Sequence, residues 1–517
     1  MNSQAPASRS MFILIAFGVV LAALLACARN VDPGVAPYTV STAGAPLQAV
    51  LATRSLLPTP RPPGAPFLSP TPDEPHMLPT VRTEADQYIV QAGDTLAKIA
   101  DRFGLSVDDL VRANNIANPN LLGVGQLLIV PVSTPSADGP DFKIIPDSEL
   151  VYGPASVGFD LAGFIKQQGG YLATYEDEID GAPYSAAEVI QRIAEEYSVN
   201  PRLLLAVLEY QSHWVTRAKP KSDTLDYPLG LYQPNRKGLY HQIAWAADNL
   251  NRGYYVWKVG GTATWTLSDG VVVRIASTLN AGTAGVQAYF AMVDGQKDWR
   301  DAVSEKGLYA TYNSLFGNPF DIAVEPLIPD GLEQPKMQLP FEKGVSWSFT
   351  GGPHGGWGDG SAWAAIDFAP PSEVLGCVRS DEWDAAVANG PIIRSGDGEV
   401  VQDIDLPESP ADGNEQTGWT VLYMHVETRD RVKAGTYIHS GEHIGHPSCE
   451  GGVSTGTHLH LARRYNGEWI PADQNIPFVL DGWVSRGTGT VYDGFLEKSG
   501  KSIEAWEGQS PENAIHR

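Results

Sequence analysis

From about residue 338 to 493 the chain runs in short apolar alternations separated by Gly, Asn and Asp turns. Val345-Ser346-Trp347-Ser348-Phe349, Val400-Val401, Trp419-Thr420-Val421-Leu422-Tyr423 and Thr457-His458-Leu459-His460-Leu461 are examples. A period of two bounded by turn residues predicts an antiparallel β domain. In the last segment two histidines stand two apart, so on a strand both side chains leave the same face. With His354 and Asp367 upstream, three histidines and one carboxylate then lie in apolar, glycine-punctuated surroundings. Burying such groups is costly unless they bind something.

The remainder of the chain divides by pattern. Its 517 residues predict three or four domains at roughly 150 residues each. A net charge of −24 argues against nucleic acid as a partner, because phosphate binding needs a basic footprint. Residues 28–86 are rich in Pro, Ala, Thr and Ser without hydrophobic periodicity, the composition of an extended, solvated tether. Residues 87–132 read strand–helix–helix–strand. Tyr88-Ile89-Val90 opens the unit, Asp94 or Thr95 caps a helix carrying Leu96, Ile99, Ala100 and Phe103, Ser106 is a second cap candidate, and Leu127-Leu128-Ile129-Val130 closes it. Between about 147 and 330 longer amphipathic helices are predicted, one over Ala186–Tyr197 with Val189, Ile190, Ile193 and Ala194 inward, the next over 203–212 with Pro201 near its first turn.

Several of these segments resemble known families. Residues 11–26 form an apolar run after Arg9, shorter than the ~20 residues of a membrane span and suited to the core of a signal peptide. The run ends in Leu24-Leu25-Ala26-Cys27, which resembles a bacterial lipobox. That implies cleavage before Cys27, a diacylglycerol on its thiol, and an extracytoplasmic lipoprotein held at a membrane of the cell envelope. An uncleaved N-terminal anchor is the rival reading. With Cys27 acylated, Cys377 and Cys449 remain of three cysteines, and an even pair in an oxidising compartment reads as a disulfide.

The unit at 87–132 is similar to a LysM domain through Gly93-Asp94-Thr95-Leu96, Asn114-Asn115 and Gly125-Gln126-Leu127. The resemblance implies binding of N-acetylglucosamine-containing glycan at Gly93, Asp94, Thr95 and Leu96, opposite the loop near Asn118. Gly230-Leu231-Tyr232-Gln233, Leu250-Asn251-Arg252-Gly253-Tyr254 and Leu279-Asn280-Ala281-Gly282 resemble the lysozyme-like fold of soluble lytic transglycosylases. The acid of that family is a Glu directly before Ser, and here Gln211 precedes Ser212. Glu209 lies about 200° away around a helix, and an amide cannot protonate a glycosidic oxygen. The middle domain is therefore expected to bind glycan without cleaving it.

In the C-terminal region Tyr423-Met424-His425-Val426, Val432-Lys433-Ala434-Gly435, Gly441-Glu442-His443-Ile444-Gly445 and Ser454-Thr455-Gly456-Thr457-His458-Leu459-His460 occur in the order found in lysostaphin/LytM-type zinc peptidases. By that resemblance His354, Asp367 and His460 hold Zn²⁺, and His425 and His458 are catalytic histidines. Two imidazoles and one carboxylate make a zinc site that keeps a position open, as catalysis requires. In that family the first His and the Asp are four residues apart, whereas an insert containing Trp357, Gly358 and Asp359 separates them here. Asp359 is a rival ligand. Asp367 is preferred, because Ala365-Ile366-Asp367-Phe368-Ala369 keeps strand alternation. His439, His443 and His446 read as surface residues of a turn-rich loop.

The expected architecture is multi-domain, with a LysM unit (βααβ), a mainly α lysozyme-like unit and an antiparallel all-β peptidase. The boundaries are 1–27 signal peptide, 28–86 tether, 87–132 LysM, 133–146 linker, 147–335 lysozyme-like domain, 336–495 peptidase and 496–517 tail. The implied partners are peptidoglycan, through glycan strands and stem peptides, and a membrane through the N-terminal lipid. The implied activity is zinc-dependent hydrolysis of peptidoglycan peptide cross-links. The alternative is a non-catalytic wall-binding scaffold or activator of other hydrolases.

Overall fold

The computed structural model describes residues 85–91, 94–103, 105, 107–132, 135–179 and 181–517. The expected signal peptide, Cys27, nearly all of the tether, Gly93 and Ser106 lie outside these residues.

The first unit runs β1 (Asp86–Ile89), α1 (Leu96–Arg102), α2 (Val107–Asn114) and β2 (Leu127–Val130), with β1 and β2 antiparallel and Tyr88 opposite Leu128. Leu96, Ile99, Ala100, Leu110, Leu128 and Val130 form its small core. Asp94 accepts hydrogen bonds of 2.7 Å from the Tyr88 hydroxyl and the Gln91 amide, and the Thr95 hydroxyl accepts the Lys98 amide at 3.2 Å, capping α1. Asn114 accepts from the Ile129 amide at 2.6 Å and donates to Leu110 and Ile129 carbonyls, tying α2 to β2.

The middle unit is mainly helical: α3 (Leu161–Gln168), α4 (Ala186–Tyr197), α5 (Pro201–Ser212), α6 (Leu239–Lys258), α7 (Ala281–Val293), α8 (Gln296–Ala302) and α9 (Leu308–Phe316). α4 begins with a reciprocal Ser185–Glu188 capping box, and its Val189, Ile190, Ile193 and Ala194 are fully buried. The Asn200 side chain caps α5, with Pro201 in the first turn. Glycine sets the α6–α7 approach, since a Cβ on Gly253 would sit 2.3 Å from that of Ala288. After α6 the chain forms a hairpin, Thr264–Thr266 with Val272–Arg274. Ala137–Asp138, within the expected linker, pairs with that hairpin. Glu209 turns away from Gln211. Its carboxylate accepts the amides of Val215 and Thr216, both at 3.0 Å, and so caps the loop after α5.

The C-terminal unit is built on a nine-stranded antiparallel sheet. Its main strands are β3 (Ser346–His354), β4 (Ala365–Ala369), β5 (Gly390–Gly396), β6 (Glu399–Asp403), β7 (Trp419–Met424), β8 (Tyr437–Ile438), β9 (Leu459–Tyr465) and β10 (Ala514–His516), in the order β8-β5-β6-β7-β9-β4-β3-β10. Residues 496–517, expected as a tail, belong to this unit. Strands over Gly494–Lys498 and Lys501–Glu504 join a four-stranded second sheet, and β10 pairs with β3. The segment carries too few apolar residues for its short strands to show a period.

Both faces of the main sheet are covered. Val400, Val421, Tyr423 and Leu461 face the unit's own core, and Val401, Leu422, Met424 and Ala462 join the core of the middle unit. The pleat therefore seals the two units together. Polar contacts reinforce the seam. The Ser198 hydroxyl donates to the Gly467 carbonyl at 2.6 Å, and Arg464 donates to the Glu195 carbonyl at 3.1 Å and to the Glu415 carboxylate at 2.6 Å. Arg394 stands 3.3 Å from the same carboxylate. Glu415 lies between these two guanidiniums, which hold it below the usual carboxylate range against the opposing effect of burial. Glu415→Ala leaves both cations buried without that partner and is expected to cost about 3–5 kcal/mol. A lowered thermal unfolding midpoint, with a smaller loss for Glu415→Gln, checks this.

Candidate metal centre

Strand register assembles the centre. On β9, His460 lies opposite Asp367 of β4 on one side and Met424 of β7 on the other. On the neighbouring β3, Gly351 lies opposite Asp367, and a Cβ there would meet the Asp367 carboxylate at 2.5 Å. Only glycine leaves room for that side chain. One register shift precedes Gly351 on β3, and a second carries the strand from Gly351 to His354 at its end.

His354 Nε2 and His460 Nδ1 are 3.0 Å apart, and Asp367 Oδ1 stands 3.2 Å from the first and 3.3 Å from the second. All three residues are buried. The far nitrogen of each ring is committed. His354 Nδ1 donates to the Gly352 carbonyl at 2.8 Å, and His460 Nε2 to the Gly356 carbonyl at 3.1 Å. In the neutral rings the lone pairs of the near nitrogens therefore face each other and the carboxylate. Asp367 Oδ1 has no hydrogen bond of good geometry. Three buried acceptors converging without a donor fit a cation. Bonds of 2.0–2.1 Å from a tetrahedral zinc ion place its ligand atoms about 3.3 Å apart, close to the observed triangle. Among the described residues this is the one group of at least three His, Cys, Asp or Glu side chains arranged to hold a metal ion.

The electrostatics are those of an anion among imidazoles. Burial opposes ionisation of Asp367, but His354 and His458 hold its carboxyl well below the usual range. Burial disfavours charge on His354, and the neighbouring Asp367 outweighs it and raises the ring. His460 is lowered, chiefly by burial. His425 is pushed down to about 3 by burial and then by His458 and His460, so it is neutral at physiological pH.

His425 and His458 form the neighbouring pair, with ring centroids 4.5 Å apart. His425 Nδ1 donates to the Glu450 carbonyl at 3.0 Å and His458 Nδ1 to the Gly456 carbonyl at 2.8 Å, which leaves both Nε2 atoms free of these bonds. His458 Nε2 lies 3.9 Å from Asp367 Oδ1. The backbone of His425 is left-handed, φ 67°, a conformation costing on the order of 1–3 kcal/mol in a non-glycine residue. The Ser448 amide and hydroxyl hold it there, donating to the His425 carbonyl at 2.7 and 2.8 Å.

The expected residues divide clearly. His354, Asp367 and His460 come together, with His425 and His458 beside them. Asp359 is exposed in a glycine-rich turn and takes no part in the group. His439 and His443 are exposed, as expected, but His446 is buried, with its Nδ1 2.7 Å from the Glu382 carbonyl and its ring 3.8 Å from Trp383. Cys377 and Cys449 form a disulfide across two loops at the rim. Tyr492 was not anticipated. Its ring stacks on His354 at 4.2 Å, and burial followed by Asp367 and Asp359 pushes its hydroxyl up to about 12. Nothing in Gly489-Thr490-Val491-Tyr492 marks it. The centre opens into a groove of 2810 Å³ whose opposite wall is the middle unit, including Tyr240, His241, Trp245 and Asp248 of α6.

Comparisons agree with this organisation. Residues 88–131 match the family model described as LysM domain, and residues 143–328 match that described as LasA, N-terminal domain. The chain carries both domains. The segment expected to be lysozyme-like is the one matched by the second. Protease LasA of Pseudomonas aeruginosa is 25% identical over 369 residues, which cover 67% of this chain and 77% of the relative. Beta-lytic metalloendopeptidase of Achromobacter lyticus is 26% identical over 201 residues, 36% of this chain and 47% of that protein. Among solved structures, the M23 metalloprotease pseudoalterin from deep-sea is 22% identical and covers 36% of this chain and 99% of its own, with a TM-score of 0.28. The catalytic domain of lysostaphin from Staphylococcus simulans is 22% identical and covers 25% of this chain and 88% of its own, with a TM-score of 0.18.

If the three acceptors hold one divalent ion, the purified chain contains about one zinc per molecule, and His460→Ala loses it. Elemental analysis after dialysis measures this. Equal zinc in both proteins would exclude the site.

Proposed function

We propose that this chain is a zinc metalloendopeptidase that hydrolyses peptide cross-links of peptidoglycan. The observation that carries the reading is the convergence of His354, Asp367 and His460 beside two further histidines, at the floor of a long groove. Small-molecule sites occupy roughly 300–1,000 Å³, and a groove of 2810 Å³ suits a polymer. The similarity to LasA and to beta-lytic metalloendopeptidase supports a metallopeptidase, and the LysM domain supports a glycan-bearing substrate.

Bound by the three residues, zinc would supply Lewis acidity, polarising a carbonyl and making water a stronger acid. The protein supplies the rest. His425, kept neutral by burial, takes a proton at Nε2. The proton taken up there is then returned to the departing amine from the His425–His458 pair. The Tyr492 hydroxyl, protonated at neutral pH, is available as a donor toward negative charge developing on the carbonyl oxygen. No serine or cysteine nucleophile is required.

The LysM unit raises local substrate concentration by tethering the peptidase to the wall. The middle unit cleaves no glycan. Gln211 there is an amide, and Glu209 is occupied as a loop cap. In this reading Cys27 is the lipidated residue, and the lipid holds the protein at a membrane outside the cytoplasm.

Digestion of defined muropeptides, with fragments weighed by mass spectrometry, tests the reading. Wild type should release peptide fragments with new amino termini, and His425→Ala should slow release by about 10²–10⁴-fold, the usual weight of a general base. A zinc-loaded wild type that leaves every cross-link intact would make the chain a wall-binding scaffold instead.

A further inference from the structure

The residues between the first two ligands do not loop idly into solvent. The turn Gly355-Gly356-Trp357-Gly358-Asp359-Gly360-Ser361 is clamped between the metal group and α6 of the middle unit. On one side, the Gly356 carbonyl accepts the His460 Nε2 proton at 3.1 Å. On the other, the Gly360 amide donates to Asp248 Oδ1 at 2.9 Å. Within the turn the Trp357 amide donates to the Ser361 hydroxyl at 3.0 Å, and the Gly356 amide to the Ala362 carbonyl at 3.0 Å. The Trp357 ring meets Tyr197 of α4 edge-on at 6.4 Å.

The glycines are explained by this clamp. A Cβ on Gly360 would lie 1.9 Å from the Asp248 carbonyl oxygen, and one on Gly358 would lie 2.5 Å from Asp248 Oδ1. On the other side of the turn, a Cβ on Gly356 would lie 2.6 Å from the Trp469 ring. Trp469 is itself fixed by the middle unit, its amide accepted by the Tyr255 hydroxyl at 2.9 Å and its indole N–H by the Tyr197 carbonyl at 3.3 Å.

We propose that the middle unit is a working part of the metal centre, and that Asp248 is a positioning residue for the ligand His460. The inference rests on reading His354, Asp367 and His460 as a metal site. Asp248 anchors the Gly360 end of the turn, and the turn presents the Gly356 carbonyl to His460. That carbonyl decides which imidazole nitrogen carries the proton, and so which lone pair faces His354 and Asp367. An outer partner that orients a ligating imidazole typically contributes 10–100-fold to metal affinity. Asp248 belongs to α6 and accepts the Gly360 amide, so the middle unit supplies an anchor that the sheet does not.

The test uses the full chain and the metals alone. Zinc affinity is measured by competition with a chromophoric chelator, and the visible spectrum of the Co²⁺ form reports ligand geometry. D248A is expected to bind zinc about 10–100-fold more weakly and to shift the cobalt spectrum. D248N keeps the acceptor oxygen and should stay near wild type, which a merely structural loss of charge at the seam would not allow. G360A breaks the same contact from the turn side and should reproduce D248A. Wild-type affinity and spectrum in both D248A and G360A would overturn the proposal. So would a D248N as impaired as D248A. A wild type that binds zinc but cleaves nothing removes the peptidase reading and leaves this one standing. A wild type that takes up no zinc removes both.

Discussion

Two imidazole lone pairs and a carboxylate oxygen face one another across 3.0–3.3 Å in a buried pocket, and the surrounding structure is arranged to keep them there. Left to themselves, such acceptors repel, and rotation of either ring would relieve the contact. Backbone carbonyls at Gly352 and Gly356 prevent that by holding the far nitrogens. The sheet register prevents it again, since His460, Asp367 and Gly351 occupy adjacent positions across three strands. The fold thus holds the group ready for a cation, which is the condition for a preorganised catalytic site.

The same sheet joins the domains. Strands β6, β7 and β9 present one set of side chains to their own core and the alternate set to the middle unit. Neither face is left wet, so the two units share one seam, and the groove is set between surfaces that do not drift apart. The buried ions along this seam carry an energetic cost. Glu196, for instance, is pushed up to about 7 by burial, which Arg192 only partly offsets. Ion pairs of this kind add little net stability, but they penalise misalignment heavily. Their contribution is register between domains.

The residues of the candidate metal group were legible because chemistry and period coincide. Strand alternation separated Asp367 from Asp359, and the structure places Asp367 in a strand and Asp359 in an exposed turn. The helices over Ala186–Tyr197 and Pro201–Ser212 were legible through periodicity and caps. What escaped has a common cause. The Gly352, Gly356 and Glu450 carbonyls act through the backbone, which every residue type offers equally. Tyr492 acts through stacking on His354, a contact spanning well over a hundred residues. The seam pairs Ser198 with Gly467 and Tyr255 with Trp469, and no local pattern reports such distances. The strand over Ala514–His516 is too short to show alternation.

The segment between His354 and Asp367 shows how a departure from pattern can carry information. Four glycines among seven residues would ordinarily read as a flexible loop, since glycine loses the most conformational freedom on ordering. Here Gly356, Gly358 and Gly360 each stand where a Cβ would strike Trp469, Asp248 or the backbone of α6. The glycines therefore record close approach rather than looseness. A loop needed only to cover a peptidase would tolerate larger residues at these points. One that must lie flat against a second domain while offering a carbonyl to His460 would not. The composition of the insert is thus itself evidence that the middle unit and the metal group were shaped against each other.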